Sequence, residues 1–353
     1  MLRALTLARR GWGQTAPNPL VGAVVVRGGT VVGEGFHARY GGPHAEVGAL
    51  AAAGKKARGA TLYVTLEPCA HWGKTPPCVD AIIGAGIARV VCASRDSSPT
   101  AGGGARKLRR AGIAVEFGLE AEVAYELNAP FFFAGSGATR PWVTLKLALS
   151  ADGAVGKRGG KRGGKRVRIT SAAADRAVHA MRAHSDAIAV GIGTVRADDP
   201  ALTVRIGRRP RVPPVRVVFD RTARLGVEST LAATANAIPT VVIAQKPSVR
   251  RELALFKRGV EILRASSLKQ ALQLLGQHEV RSLFVEGGPT LGRELLRARL
   301  VDRVVIFRSP RRIGAGAIAA FDDASFLDRF RVVARRRYGP DVMTVYDTTA
   351  RAT

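Results

Sequence analysis

Cysteine is scarce in this 353-residue chain: there are three, an odd number, and no framework of the kind that staples small secreted domains is expected. Aromatic residues make up only 6%, too few for the stacking platforms that bind single-stranded nucleic acid. No run of 18 or more apolar residues occurs, so no membrane span is expected. The segment Met1 to Arg10 lacks a long apolar core with a small-residue cleavage site. It reads as an amphipathic helix that starts abruptly, not as a secretion signal. A reducing cytoplasm is the compartment these absences point to.

Acidic residues are also in deficit, 27 against 55 Lys and Arg, for a net charge of +28. Residues 1–139 carry 15 basic and 9 acidic side chains, and the remainder 40 and 18, so the excess lies in the second half. Such a surface can attract a nucleic-acid backbone. It can equally draw in small phosphorylated ligands, or simply be an Arg-rich solvated face. With no basic recognition helix and few aromatics, specific nucleic-acid binding is not expected.

What is present is concentrated between His44 and Cys78. The stretch reads His44-Ala45-Glu46, then a strand-like run, then Glu67-Pro68-Cys69-Ala70-His71-Trp72-Gly73-Lys74-Thr75-Pro76-Pro77-Cys78. One His and two Cys suit a catalytic zinc, which takes three protein ligands and keeps a fourth position for water. A Glu two residues after the His matches the proton shuttle of zinc nucleobase deaminases, whose signature is H-x-E…P-C-x-x-C. Here eight residues separate the cysteines instead of two. His44, Cys69 and Cys78 are therefore the expected ligands and Glu46 the catalytic acid–base. The plainer reading is a structural zinc with His71 as a fourth ligand, or a redox cysteine pair. Cys92, in the apolar run Arg89–Ala93, reads as a buried strand residue.

The length is a prior for two domains. In the first half, Leu20–Val26 and Val31–Gly35 read as a hairpin through Gly28-Gly29. Helices are predicted over 44–53 and 78–85, with strands over 60–66 and 89–93 and a further helix–strand unit around Leu108, Ile113 and Val115. The alternation implies an α/β sandwich. A flexible boundary is predicted at Ala134-Gly135-Ser136-Gly137-Ala138, giving domains 1–137 and 138–353. The second half alternates again: strands over 142–149, 187–190, 215–220, 240–244, 282–285, 304–307 and 342–346, with helices over 172–183, 268–275 and 290–297. Glu286-Gly287-Gly288-Pro289, between strand and helix, is a candidate phosphate cradle.

The loop between the cysteines resembles that of the pyrimidine deaminases of riboflavin biosynthesis, Pro-Cys-x-His-x-Gly-(Lys/Arg)-Thr-Pro-Pro-Cys. Ala16-Pro17-Asn18-Pro19-Leu20-Val21-Gly22 is similar to that family's substrate-binding turn. Lys146–Gly153, Ala197–Arg205 and Val285–Leu291 resemble the reductase half of the bifunctional members of the family. The resemblance runs over nearly the whole chain in the expected order. It implies a cytidine-deaminase-like α/β/α sandwich followed by a dihydrofolate-reductase-like α/β domain. It also implies zinc and NADPH as cofactors, a phosphorylated pyrimidine as substrate, a homodimer, and a few residues more before the first helix.

By the same resemblance, Asn18, His37, His71, Lys74 and Asp96 contact the deaminase substrate. Ala148, Thr194, Asp198, Gly288, Pro289, Thr290, Leu291 and Gly292 hold NADPH. Lys146, Thr170, Arg182, Leu202, Arg205 and Glu286 face the reductase substrate, the two arginines suiting a ribose phosphate. The chain departs from the family at the basic repeat Gly156 to Arg166. Arg166 and Arg168 stand where a Ser and a Trp are usual, and the repeat is expected to act on ligand binding electrostatically. Two other readings compete: a cytidine or tRNA adenosine deaminase with a basic RNA-binding appendage, and a non-catalytic zinc and nucleic-acid binding protein. The long loop, the retained Glu46 and the second-half motifs speak against both.

Overall fold

The computed structural model describes residues 1–97, 103–157, 168–321 and 325–348. The chain divides into two units, Met1–Ala138 and Thr139–Thr353, each α/β and built on its own large sheet. Two glycines at positive φ, Gly28 and Gly29, turn the chain between β1 (Gly22–Arg27) and β2 (Thr30–Phe36), which pair antiparallel. With β3 (Thr61–Val64), β4 (Arg89–Cys92) and β5 (Ala114–Phe117) they form a five-stranded sheet of order β2-β1-β3-β4-β5, parallel from β3 onward. Ala23, Val25, Leu62, Val64, Val90 and Cys92 face one way, onto α2 (Ala45–Ala53), α3 (Cys78–Gly84) and α4 (Gly104–Arg110). On the opposite face lie α1 (Leu2–Ala8) and α5 (Ala121–Gly135), packed through Leu5, Leu7, Val24, Ala124 and Leu127.

Helix α5 corrects the sequence reading at one point. Ala134 and Gly135, taken as the start of a flexible boundary, are its last residues. The helix is kinked at the non-helical Asn128 (φ −119°), two residues before Pro130, and that asparagine is fixed from outside. Its amide donates to Leu20 O and accepts from Leu20 N, both at 2.9 Å.

The placement of α2 depends on glycine. A Cβ on Gly35 would lie 2.3 Å from Ala45 O and 2.4 Å from Ala49 N, so the helix rests directly on the strand backbone. Gly35→Ala must push α2 away, at a cost of about 1–3 kcal/mol. Because α2 carries His44 and Glu46, the variant is expected to lose deaminase activity and zinc affinity while NADPH binding is retained. Equilibrium unfolding and metal analysis of the whole chain check this.

In the second unit, β6 (Trp142–Leu149), β8 (Ala187–Gly191), β9 (Val215–Phe219), β10 (Thr240–Ala244), β11 (Val260–Arg264), β12 (Ser282–Glu286), β13 (Arg303–Arg308), β15 (Phe330–Tyr338) and β16 (Asp341–Thr348) form one sheet. Its order is β11-β10-β9-β8-β12-β6-β13-β16-β15, parallel from β11 to β13 and antiparallel thereafter. Strands β7 (Ala154–Lys157) and β14 (Ala317–Ala319) make a separate small ribbon. Helices α10 (Leu268–Gln277) and α11 (Pro289–Arg297) cover one face through Leu272, Leu275, Leu291 and Leu295. The other face takes α6 (Ala172–Ala183), α7 (Ile192–Asp198), α8 (Thr230–Ala233) and α9 (Val249–Phe256). Helix α6 begins where predicted, its Ser171 side chain accepting from Ala174 N, an ordinary N-cap. Arg331, Arg335, Arg336 and Arg337 project from the edge strand β15 and are exposed. Of the basic repeat, only Gly156 and Lys157 fall within the described residues. No helix is long and apolar enough to cross a membrane among the described residues.

Candidate functional sites

The first site is assembled by two helix starts. His44 is the N-cap residue of α2, in extended backbone, and Glu46 sits in that helix's first turn. Cys78 opens α3 behind Pro76-Pro77, and its backbone N–H donates to Cys69 Sγ at 3.4 Å. His44 Nδ1 lies 3.2 Å from Cys78 Sγ and 3.5 Å from Cys69 Sγ, and all three ligand atoms fall within 4.8 Å of one another. Bonds of about 2.0–2.3 Å to a tetrahedral zinc require separations of about 3.5–3.8 Å, so the donor set fits. His44 Nε2 is 3.4 Å from Thr75 Oγ1, a contact that fixes the ring with Nδ1 toward the sulfurs. His71 is exposed and outside this cluster, so the four-ligand alternative is not formed among the described residues.

The electrostatics suit a dication. Cys78 hydrogen-bonds to Cys69 and pulls its thiol down to about 4, burial opposing and His44 assisting. The same proton is held on Cys78, whose pKa is driven up by Cys69 and by burial. A bound dication favours the thiolate form of both sulfurs. His44 is raised, chiefly by its contact with Cys69. Burial raises Glu46, which is 4% exposed.

A cavity of about 330 Å³ adjoins the triad. It is lined by all five residues expected to meet the substrate, Asn18, His37, His71, Lys74 and Asp96, together with Glu46. His37 is buried, donates from Nδ1 to Pro43 O (3.1 Å) and lies 3.2 Å from Asn18 Nδ2. Burial lowers its pKa, so it holds Asn18 as a neutral ring. Among the lining residues that sequence reasoning missed are Tyr40 and Glu67. Tyr40 carries the Lys74 ammonium 4.4 Å above its ring, and nothing in its local sequence marks it. Glu67 accepts from Ala105 N (2.9 Å) and Asp96 N (3.3 Å); its place beside Pro68-Cys69 was the available signal.

The second site is a cleft of about 1380 Å³ at the carboxyl ends of the parallel strands, where open α/β sheets take their ligands. That exceeds the usual 300–1,000 Å³ of a single small-ligand pocket. Lys146, Ala148, Arg182, Thr194, Asp198, Leu202, Glu286, Gly288, Pro289, Thr290 and Leu291 line it. Three expected residues do not. Thr170 is buried just before α6. Gly292 lies on the side of α11 facing the sheet, where a Cβ would come 3.3 Å from Leu145. Arg205 offers its backbone N–H to His179 Nδ1 at 3.1 Å, a buried histidine that sequence reasoning overlooked.

Arg182, which lines the cleft, is also engaged by neighbouring groups of the protein. Its guanidinium clasps Glu286 in a two-pronged pair and donates to Thr203 O at 2.9 Å. Burial alone would raise the Glu286 carboxyl, but the charges of Arg182 and Lys146 bring it below its ordinary value. Burial likewise opposes the charge on Arg182, and Glu286 outweighs it. At the cradle, Gly287 adopts φ +146°, and Gly288 N–H donates to Thr194 Oγ1 at 3.0 Å. A Cβ on Gly287 or Gly288 would press on that hydroxyl at 3.2–3.3 Å. Bare backbone at the start of α11 fits a dinucleotide's phosphates. Arg168 pairs with Asp175 and donates to Thr170 O instead of lining the cleft, and Arg166 lies outside the described residues.

Comparison with known proteins agrees with both halves. Residues 1–94 match the family model of the cytidine and deoxycytidylate deaminase zinc-binding region, and residues 141–344 that of the RibD C-terminal domain. The chain is 44% identical to the riboflavin biosynthesis protein RibD of Aquifex aeolicus, over 90% of this chain and 87% of that one. It is 39% identical to the Escherichia coli protein of the same name, over 97% and 96%. A solved structure from Thermotoga maritima, a diaminohydroxyphosphoribosylaminopyrimidine deaminase/5-amino-6-(5-phosphoribosylamino)uracil reductase, superposes with a TM-score of 0.82 at 35% identity. That match covers 99% of this chain and 97% of the other.

Proposed function

The chain belongs to the RibD family of bifunctional riboflavin-biosynthesis enzymes, and on that premise we propose how its own residues divide the work between a deamination and a reduction. The first unit is a zinc-dependent deaminase and the second an NADPH-dependent reductase. The substrate is taken to be 2,5-diamino-6-(5-phosphoribosylamino)pyrimidin-4(3H)-one, the product of whose deamination is then reduced from a ribosyl to a ribityl chain. Above all, the triad His44, Cys69 and Cys78 beside a buried carboxylate that is not a ligand supports this reading.

Zinc, when bound by those three residues, supplies the Lewis acidity that makes water a nucleophile near neutral pH. Glu46 takes a proton from that water and returns it to the departing amine, so that the C–NH2 bond is exchanged for C=O and ammonia leaves. His37 keeps Asn18 in place for the pyrimidine edge. Lys74, steadied over Tyr40, offers a point charge to the phosphate. In the reductase, NADPH held at the Gly287–Thr290 turn would supply the hydride that reduces the imine form of the ribose at C1, while the protein's own residues contribute position and charge. Thr194 shapes the Gly287-Gly288 turn. Lys146 and the Arg182–Glu286 pair form the polar wall that orients the substrate.

Further elements of the reading are a cytoplasmic homodimer that acts on free small molecules, with no specific nucleic-acid partner. The three cysteines are buried and unpaired with one another, which favours a reducing compartment. Sedimentation of the whole chain, with and without RNA, tests the assembly and the partner together.

The two activities are expected to separate. Cys69→Ser should lose zinc and ammonia release from the diaminopyrimidine, yet oxidise NADPH with pre-deaminated substrate near the parental rate, since the two sites draw on residues of different units and share none. Loss of both activities in a folded variant would sink the two-site reading.

A further inference from the structure

Between α7 and β9 the chain runs without helix or strand, yet Pro200 and Leu202 line the cleft of the second unit. Leu202 is buried and adopts φ +49°, a region that bulky side chains seldom enter. Such a conformation persists only where its surroundings over-determine it. Here the ties are identifiable. On the near side, Asp199 accepts from Thr230 N (2.9 Å) and Thr230 Oγ1 (2.7 Å). On the far side both ties come from α6. Arg182 donates to Thr203 O at 2.9 Å, and His179 Nδ1 lies 3.1 Å from Arg205 N. Residues three apart share a helix face, so one face of α6 holds the chain just past Leu202 at two points.

The second of these ties fixes the state of the imidazole. A backbone N–H only donates, so Nδ1 must present its lone pair and the ring proton must sit on Nε2. His179 thus carries the opposite tautomer from His37, whose Nδ1 donates to Pro43 O. A doubly protonated ring could not accept, and its Nδ1–H would face the Arg205 N–H. The surroundings oppose that state. Burial acts first, then the positive charges of Arg182 on the same helix and Arg205 on the held segment. Together they keep the ring below its ordinary value, against Glu286 on β12 and Asp175 on α6. Arg182 divides itself between this segment and Glu286. Among the described residues, the His179 side chain hydrogen-bonds to this segment alone.

We propose that His179, in its Nε2–H form, is a positioning residue of the reductase, holding residues 202–205 in the conformation that shapes the substrate side of the cleft. This deepens the reductase reading and rests on it. The imidazole is not among the groups that line the cleft; it acts through Leu202. Without the tie, Leu202 is free to leave the positive-φ region for the lower-lying right-handed or extended basins, and its part of the wall goes with it. The near-side tie at Asp199 stays, as does the Gly288–Thr194 contact at the cradle. The loss therefore falls on substrate binding, and not on the cofactor or the chemical step.

The test is steady-state reduction of pre-deaminated substrate by the whole, zinc-loaded chain, with two replacements at this position. His179→Phe keeps a ring and removes the acceptor. His179→Asn restores an acceptor, because its Oδ1 sits on Cγ as Nδ1 does, and it does not titrate. At neutral pH, His179→Phe should raise KM for the substrate about 5- to 50-fold, as expected when a buried N–H loses its acceptor. Its kcat should stay within about threefold and its Kd for NADPH within about twofold. His179→Asn should return KM to within about threefold of the parent. As pH falls below 6.5, kcat/KM of the parent should decline by a step that His179→Asn lacks, because this ratio reports groups of the free enzyme. Nitrogen NMR of the histidine-labelled parent should show an Nε2–H ring whose signals vanish in His179→Asn. An Nδ1–H ring at this position, a parental KM in His179→Phe, or an asparagine variant no better than the phenylalanine one overturns the proposal. So does a joint loss of substrate binding, NADPH binding and kcat, the mark of a merely structural residue. Each of these leaves the reductase reading standing, whereas a parent that reduces no substrate removes that reading and the proposal with it. Should His179→Phe fail to fold, the acid step and the tautomer, read on the parent and His179→Asn, decide alone.

Discussion

Glu46→Gln is expected to retain one zinc per chain and to deaminate about 10²–10⁴-fold more slowly than the parent, the range over which a positioned proton carrier contributes. Glutamine fills the same volume in the first turn of α2, so the packing around His44 is preserved. What disappears is the ability to accept and return a proton. The retained zinc is the discriminating half of the result, because Glu46 lies beside the triad without being one of its three donors. If metal analysis shows that zinc departs with the carboxylate, Glu46 is a ligand and the assigned role is wrong. Reduction of pre-deaminated substrate should not change, since every lining residue of the reductase cleft belongs to the second unit.

Arg182→Ala should be the most damaging single change in the second unit. The pair with Glu286 is 12% and 13% exposed, and removing one partner leaves a desolvated carboxylate without its counterion. Breaking such a pair costs about 3–5 kcal/mol. Thr203 O loses a donor as well, so the segment carrying Leu202 is released. A misplacement of about 1 Å in a positioning element costs about 10²-fold in rate, and kcat/KM for reduction should fall by at least that. Arg182→Lys should restore charge and part of the stability, but little of the rate, because an ammonium cannot reproduce the fork.

The pH dependence separates the cases. In the parent, Glu286 is depressed on folding, so its contribution is present above the unfolded value of about 4.3 and is lost as pH falls through the lower folded value. In Arg182→Ala the buried carboxyl is raised instead, so the stability deficit should shrink as pH falls from 7 towards 5. Urea unfolding at several pH values decides it. A deficit independent of pH would mean that Glu286 is not the group left exposed to the loss.

The parts of this molecule that could be read in advance are those whose cause is local. Gly28-Gly29 between two β-branched runs forms the β1–β2 hairpin because the turn needs positive φ. Ser171 caps α6, and Gly287-Gly288 links β12 to α11, for reasons contained in a few residues. The candidate metal triad His44, Cys69 and Cys78, with Glu46 lining the same cavity, was legible because a metal needs its donors in a recognisable set. Helix α5 was not, because what allows Asn128 and Pro130 inside it is Leu20, more than a hundred residues away. The exposed apolar residues of α9, Val249, Leu253 and Phe256, hid that helix by offering no buried stripe. Tyr40 acquires a place in a site only through tertiary contacts.

A nine-stranded sheet has two borders, and the one at β15 is armed. Any bare strand edge offers its N–H and C=O groups to another copy of itself, the first step toward a fibril. Two molecules docking along β15 would set two arginine-rich strands about 4.8 Å apart. That is well inside the screening length of about 8 Å at physiological ionic strength. The backbone's invitation and the side chains' refusal occupy the same nine residues. Exposed charge along an edge strand is one of the ways in which sheets discourage pairing with a second copy. Such a guard is conditional, because exposed charges are screened as ionic strength rises.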